Sequence, residues 1–221
     1  MHIEPGILPA GKILLANLTA VAILGRHFAG LLRSPTAPLR TLLAAGFFSL
    51  FMEAFHLPVG PSELHFVGAM AIYLTLGYLP TLFGFALGLT LQGWLFEPGD
   101  LIHLAINGLS LIVPLMAVHH TMGQRLITGS TPLSWRAILR LDGCYYAGVT
   151  AMVGFWLLLG EVETPLVAWA TFAASYLGVV LLEPVVTMTA VRLLKRQEAH
   201  CLVDRYFQVR ALRFACQTKG S

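Results

Sequence analysis

The chain has 221 residues, of which 57% are hydrophobic and 11% are charged, whereas soluble domains average about 45–50% apolar and about 25% charged residues. This composition excludes an ordinary soluble globular protein. The net charge of +3 is small, and a chain that lies mostly in lipid cannot present the basic face that nucleic-acid binding requires, so nucleic acid is excluded as a partner.

Apolar stretches separated by charged residues, Pro or Gly predict seven helices, named A to G in chain order. They span residues 9–31, 39–57, 65–79, 80–97, 101–121, 138–160 and 165–195. Residues 66–96 contain no Asp, Glu, Lys or Arg, but a single helix of that length would extend about 46 Å, beyond a hydrocarbon core of about 30 Å. Pro80 therefore indicates a break between C and D. The sequence predicts an all-α, polytopic membrane helix bundle with about seven transmembrane helices.

The distribution of basic residues favours seven crossings with the N-terminus outside and the C-terminus in the cytoplasm. In this topology thirteen of the fourteen Lys and Arg residues lie on the cytoplasmic side, and Lys12 is the exception. A single helix in place of C and D would move Arg125 and Arg136 to the side opposite Arg26 and Arg33. Lys and Arg normally stay on the cytoplasmic side, so seven crossings are the better prediction.

Two domains follow from this topology: a transmembrane domain over residues 1–195 and a basic cytoplasmic tail over residues 196–221. The tail mixes basic with apolar and aromatic residues, which predicts a basic helix on the inner membrane surface, anchored to anionic lipid or docked on a partner. In helix D, Gly84 and Gly88 have the G-x-x-x-G spacing that allows a neighbouring helix to approach closely. Packing inside the bundle would explain that spacing.

The predicted outer face combines imidazoles with carboxylates. The histidines there are His2, His56, His65 and His103, and the acids at similar depth are Glu53, Glu63, Glu97 and Asp100. Lys12 is the only basic residue on that side, so an outer-facing cation site is a candidate.

Met1 and His2 form the strongest candidate for metal binding. We expect Met1 to be retained, because His is bulky at position 2. The Met1 amine, the His2 amide nitrogen and His2 Nδ1 can then close two fused chelate rings around one ion and leave a fourth position open. A second imidazole there completes a planar four-nitrogen site, which suits Ni(II) or Cu(II) and can hold Co(II). His65, at the predicted outer start of helix C, is the leading candidate for that imidazole.

Other ionisable residues have alternatives that the sequence leaves open. His103 lies one turn before Asn107 in helix E, and either side chain could point into a cavity or bind a neighbouring helix by a hydrogen bond. Glu53 and Glu183 lie inside apolar stretches, where a carboxyl group is costly and is a functional candidate by default. A structural hydrogen-bonding role explains Glu183 equally well.

Four segments together resemble a known family. They are Met1-His2-Ile3 with Gly6, the run from Ser62 to Gly68, Gly99-Asp100-Leu101 leading to Asn107 and Pro114, and Leu181-Leu182-Glu183-Pro184 with Thr187. These segments resemble the cobalt/nickel substrate-specific membrane component of energy-coupling factor transporters, the CbiM/NikM type, over residues 1–195. Asp100 and His103 stand where that family usually has Gly and a small residue.

The resemblance implies a Co(II) or Ni(II) ion held by the Met1 amine, the amide and side chain of His2, and the His65 imidazole. Asn107 would support the loop around the site, and Asp100 and His103 are possible further support. The resemblance also implies partners: a transmembrane coupling component, a pair of cytoplasmic ATPases and possibly a small accessory membrane protein. The location that it implies is a bacterial inner membrane.

Our leading hypothesis is that the chain binds a metal ion and catalyses no reaction, with no resident cofactor. The sequence lacks a G-x-x-x-x-G-K-[ST] phosphate loop, so ATP hydrolysis by that route must come from partners. One alternative is a membrane-embedded metalloenzyme that uses His65, Asp100 and His103 around a catalytic metal. Another is a membrane scaffold or metal sensor.

Overall fold

The structure, a computed structural model, describes residues 8–59, 62–160 and 166–215, apart from the side chains of residues 58, 62 and 63. It is an all-α helix bundle with one short β-hairpin. The helices are α1 (Ala10–Leu32), α2 (Ala37–Ala54), α3 (Ala69–Leu76), α4 (Tyr78–Leu95), α5 (Leu104–Val118), α6 (Gln124–Ile127), α7 (Trp135–Leu159), α8 (Leu166–Arg196) and α9 (Cys201–Tyr206). The hairpin strands are β1 (His56–Val59) and β2 (Ser62–His65), and a 3₁₀ helix (Pro98–His103) and a π-helix (His119–Gly123) flank α5.

The predicted break between helices C and D is present, at Gly77. Gly77 has φ 95° and ψ 169°, a conformation that L side chains rarely adopt and that ends α3. Pro80 lies in the first turn of α4, where its missing N–H costs no helical hydrogen bond. The sequence therefore identified the break correctly and placed it three residues too late.

Among the residues that the structure describes, four segments are long and apolar enough to cross a membrane: Ala10–Leu32, Pro98–Ile127, Trp135–Leu159 and Leu166–Arg196. Large apolar side chains on α1 face outward, among them Leu14, Leu18 and Val21, as lipid contact requires. By contrast, α3 has eight residues, all buried, and at about 12 Å it is too short to span a bilayer by itself. The chain is a multi-pass membrane protein, and seven crossings remain a prediction.

The short helix α3 lies at the centre of the bundle. It packs against α2, α4, α7 and α8, and Tyr73 and Leu74 within it have no exposed surface. Helix α8 continues through Pro184 for 31 residues. Since its length of about 46 Å exceeds the hydrocarbon core, part of α8 extends beyond the membrane or the helix is tilted.

The hairpin corrects the predicted boundaries of helices B and C. Helix α2 ends at Ala54 and α3 begins at Ala69, so residues 55–57 are not helical and His65 does not start a helix. Pro58 explains part of the difference, because proline lacks an N–H group and biases the preceding residue toward an extended conformation. The strands pair antiparallel, with His56 opposite His65 and Val59 opposite Ser62.

Two other predicted boundaries also shift. The 3₁₀ helix replaces the start of helix E, so His103 precedes α5 instead of lying within it. Helix α7 begins at Trp135, three residues earlier than predicted. Its N-cap Ser134 accepts a hydrogen bond from the backbone N–H of Ala137, a capping pattern that stabilises a helix start.

Helices α2 and α4 pack closely because α4 has glycines on the contact face. A Cβ atom at Gly84 would overlap the Ala44 side chain, and one at Gly88 would overlap the Phe48 ring. The G-x-x-x-G spacing therefore serves packing inside the bundle.

Residues 196–215 of the tail form a strap across one end of the bundle instead of the predicted basic helix on the inner membrane surface. Helix α9 has only six residues, and residues 207–215 after it are irregular. The backbone N–H of Gln208 donates to the Thr75 carbonyl (2.6 Å), and Leu133 N–H donates to the Arg213 carbonyl (2.6 Å). The apolar tail residues Val203, Val209 and Leu212 are buried against the bundle, which is why they do not face a membrane surface.

Candidate metal site

His65, the predicted fourth metal ligand, ends strand β2 at the end of the bundle opposite the strap. Its side chain is 5% exposed, whereas His56, its partner across the hairpin, is exposed. The centroids of the two imidazole rings are 6.3 Å apart. The hairpin thus holds two imidazoles side by side, one inside the protein and one at its surface.

The segment between His65 and α3 is held by a left-handed glycine. Gly68 has φ 63° and ψ 27° and is the N-cap of α3. A Cβ atom at Gly68 would overlap the Phe51 ring. Both observations favour glycine at position 68, because any other residue would be strained at this positive φ and its Cβ atom would displace the Phe51 ring.

Glu183 of α8 caps the start of α3. Its carboxylate accepts hydrogen bonds from the backbone N–H of Met70 (3.1 Å) and from those of Gly68 and Ala69. The Tyr146 hydroxyl donates to the same carboxylate. A negative group at a helix N-terminus satisfies the N–H groups that lack helical partners and interacts favourably with the helix dipole. Glu183 therefore has the structural role that the sequence left as one of two alternatives.

A cavity of about 270 Å³ lies beside the hairpin. The described residues that line it are Met52, Glu53, His56, His65, Gln92, Leu95, Phe96 and Glu97. Three of the acids and imidazoles that the sequence assigned to the outer face, Glu53, His56 and Glu97, therefore lie around His65. Glu53, which lies inside an apolar stretch of the sequence, is exposed at the end of α2.

The other predicted site residues have different positions. Met1 and His2 lie outside the described residues. His103 and Asn107 are 1% and 2% exposed and Asp100 is half-buried, and none of the three is among the described residues that line the cavity. Within residues 8–59, 62–160 and 166–215, no group of three or more His, Cys, Asp or Glu side chains could hold a metal ion. The metalloenzyme hypothesis needs His65, Asp100 and His103 around one metal ion, and these three side chains are not arranged to hold one.

Gln92 is a polar residue of the cavity that the sequence analysis missed. It is a buried polar residue of α4, 5% exposed, and its Nε2 donates to the Ser49 carbonyl (3.4 Å). A polar side chain in an otherwise apolar helix was the available signal, since such residues usually face a cavity or a neighbouring helix.

A second polar cluster lies near the strap. The Tyr73 hydroxyl is 2.8 Å from His119 Nδ1, and the Tyr78 ring stacks on the His119 ring with centroids 3.8 Å apart. His27 and His120 contact the same Tyr78 ring from other sides. These contacts tie the π-helix to the start of α4, and they give His27, His119 and His120 a packing role.

The bundle and its polar end define a multi-pass membrane protein with potential metal ligands grouped at one end. A family model described as "Cobalt uptake substrate-specific transmembrane region" matches residues 2–201, and the chain belongs to this family, CbiM. The protein is therefore a membrane component of metal uptake and is not an enzyme in itself.

Solved structures share the fold. One, described as a transition metal transporter, has a TM-score of 0.72 and 20% sequence identity, over 93% of this chain and 97% of that chain. Another, described as a truncated transition metal transporter, has a TM-score of 0.71 and 20% identity, over 89% and 99% of the two chains. No curated protein sequence matches the chain significantly.

Proposed function

We propose that this chain is the substrate-binding membrane component of an energy-coupling factor importer for a divalent transition-metal ion, Co(II) or Ni(II). Membership of the cobalt uptake family supports metal uptake. The observation that carries the proposal is the buried His65 imidazole beside a polar cavity at one end of the bundle. Buried imidazoles near carboxylates are suited to binding divalent transition metals.

The proposed ligands are the Met1 amine, the His2 amide and Nδ1, and the His65 imidazole, with Asp100, His103 and Asn107 as supporting residues. The chelate rings that the first two residues can form favour a planar site with one position left for His65. The Gly68 and Glu183 contacts support a preset position for His65, which lowers the conformational entropy cost of completing the site. Planar nitrogen ligation favours Ni(II) and is compatible with Co(II).

The proposed orientation has the hairpin end outside and the strap end in the cytoplasm of a bacterium. Basic residues gather at the strap end: Arg40 donates to the Arg205 carbonyl (3.1 Å), and Arg192 lies over the Trp135 and Phe214 rings. This clustering supports a cytoplasmic strap by the positive-inside rule. The proposed partners are a transmembrane coupling component and two cytoplasmic ATPases, with a small accessory membrane protein as a further candidate.

Titration of the purified chain with Ni(II) and Co(II) tests the ligand set. Adding one residue before Met1, or substituting His2→Ala or His65→Ala, should abolish tight binding, because each change removes a nitrogen from the plane. His120→Ala is the matched control, since His120 is an exposed imidazole near the strap and its loss should leave affinity unchanged.

Unchanged affinity after the N-terminal extension or after His2→Ala would refute the ligand set. Retained affinity in His65→Ala together with lost affinity in His103→Ala would reassign the fourth ligand to His103.

A further inference from the structure

The cavity beside the hairpin has the chemistry of a cation receptor. Its described polar residues supply two carboxylates (Glu53 and Glu97), two imidazoles (His56 and His65) and one amide (Gln92). Neither Lys nor Arg is among the described lining residues. Carboxylates that line a cleft focus a negative potential and raise the local concentration of cations.

Gln92 provides an independent indication of a ligand. Its amide is nearly fully buried and is held by the hydrogen bond from Nε2 to the Ser49 carbonyl. Within the described part of the chain, Gln92 Oε1 accepts no hydrogen bond. Leaving a buried acceptor unsatisfied is unfavourable, so a hydrogen-bond donor inside the cavity would be favoured.

The cavity is large enough for a hydrated ion. Six water molecules at about 30 Å³ each occupy roughly 180 Å³, which is less than the cavity volume of about 270 Å³. Waters bound to a divalent cation are strong hydrogen-bond donors, and carboxylate and amide oxygens are matching acceptors.

The two imidazoles lie in order of depth. His56 is exposed, His65 is buried, and their ring centroids are 6.3 Å apart. An ion that reaches the cavity from solvent therefore meets His56 before it meets His65. Because the two residues are paired across the hairpin, their separation is set by the strands.

We propose that this cavity is a capture chamber that binds the hydrated divalent transition-metal ion before it reaches the high-affinity ligands. Glu53, Glu97 and Gln92 hold the ion through its water molecules, and His56 is the first protein ligand. In that step one metal–water bond breaks, a water molecule leaves, and the lone pair of a neutral His56 nitrogen forms the new metal bond. The proposal rests on the proposed function, since it supplies the path to His65.

A capture chamber should change the rate of metal association much more than the rate of dissociation. Charges at the edge of a binding site act mainly on association and on its salt dependence. Glu53 and Glu97 are exposed, so their substitution by Gln should leave the bundle folded. Their removal should slow association about 10-fold at low ionic strength, and high salt should reduce the difference.

Stopped-flow absorbance of the purified full chain mixed with Ni(II) measures both rates. The test variants are the double substitution Glu53→Gln with Glu97→Gln, and His56→Gln. The matched control is Glu198→Gln with Asp204→Asn, which removes the same two negative charges at the strap end, where they pair with Lys195 and Arg210. We expect slower metal association in both test variants and a normal association rate in the control. Only in the double glutamate variant should the decrease in association rate depend on salt concentration.

The other outcomes of this experiment would refute either the proposed function or the capture chamber. If the unaltered chain does not bind Ni(II) or Co(II), the proposed function fails. If it binds and both test variants associate at the normal rate, the capture chamber is refuted and the proposed function stands. Faster dissociation in His56→Gln with normal association would also refute the chamber, because His56 would then be a ligand of the final site.

Discussion

Glu183 occupies the middle of α8 with no exposed surface, in a position where a carboxyl group without partners would be costly in hydrocarbon. Its hydrogen bonds to the start of α3 and from Tyr146 offset that cost. The same contacts set the segment that follows His65. At the scale of single residues, the site is therefore positioned by a side chain from the far end of the sequence.

Substituting Glu183→Ala should destabilise the protein by several kcal/mol. It removes the acceptor for buried N–H groups and for the Tyr146 hydroxyl, and each unsatisfied buried group costs about 1–3 kcal/mol. Glu183→Gln keeps one carbonyl oxygen as an acceptor, so its loss of stability should be smaller. Thermal unfolding in detergent measures both changes.

Metal titration separates positioning from general stability. Well below its unfolding temperature, Glu183→Gln should bind Ni(II) more weakly than the unaltered chain, because the His65 segment is less well fixed. Equal stability of Glu183→Ala and the unaltered chain would contradict the capping role, and full affinity in Glu183→Gln would remove the positioning role.

At the scale of helices, the contact between α2 and α4 depends on glycines of α4, which have no side chain to separate the two helices. Gly84→Ala should destabilise the bundle by about 1–3 kcal/mol, because the new methyl group overlaps Ala44 and the helices must move apart. Gly46→Ala on α2 is the matched control, since a Cβ there meets no heavy atom within 4 Å. Thermal unfolding in detergent should show a lower midpoint for Gly84→Ala alone. A lower midpoint for both variants would instead indicate a general cost of Gly-to-Ala substitution.

The strap is the second element whose packing can be tested. Leu212→Ala removes a side chain that is 1% exposed and should cost about 2–5 kcal/mol, the range for large-to-small substitutions in a core. Leu202→Ala should change stability by less than about 0.5 kcal/mol, because Leu202 is 54% exposed. Limited proteolysis should cut the tail faster only in Leu212→Ala. A larger effect of Leu202→Ala would favour the surface helix that the sequence predicted.

The orientation of the whole molecule can be tested with cysteines at its two ends. Cys201 is exposed within the strap, and Gly99, near the hairpin end, has no heavy atom within 4 Å of an added Cβ. With the other native cysteines replaced, an impermeant maleimide on intact cells should label Gly99→Cys, and Cys201 should react only after lysis. The reverse pattern would overturn the proposed direction of transport.

The coupling of transport to ATP hydrolysis can also be tested only at the scale of the whole molecule. A site that uses several chelating nitrogens releases its ion slowly, so release should need helix movement driven by partners. In liposomes, the chain alone should bind metal at its outer face with little net uptake. Adding the coupling component and the ATPases should make uptake dependent on ATP. Fast ATP-independent flux through the chain alone would indicate a channel or a secondary transporter, and binding without any uptake in the complete system would favour a metal sensor.

Much of the fold could be predicted from local sequence. Apolar stretches and helix breakers indicated the long helices and the separation of α3 from α4, because hydrophobic length and proline or glycine chemistry act within a few residues. The same local rules missed the hairpin: residues 55–57 continue an apolar stretch, and their extended conformation depends on Pro58 and on the pairing of His56 with His65.

The candidate site also has some features that the sequence predicts and others that only the tertiary structure sets. The sequence by itself determined which potential ligands are present, because residue type sets coordinating chemistry. They are an outer group of imidazoles and carboxylates, with Lys12 as the only basic residue predicted on the same side. Only the tertiary structure decided which of them share a cavity: it grouped Glu53, His56, His65 and Glu97 with Gln92, but not with His103. Only the tertiary structure decided, too, that Glu183 caps α3 and that the tail packs on the bundle. The physical reason is that these contacts join residues far apart in the chain, and their positions depend on how the helices pack.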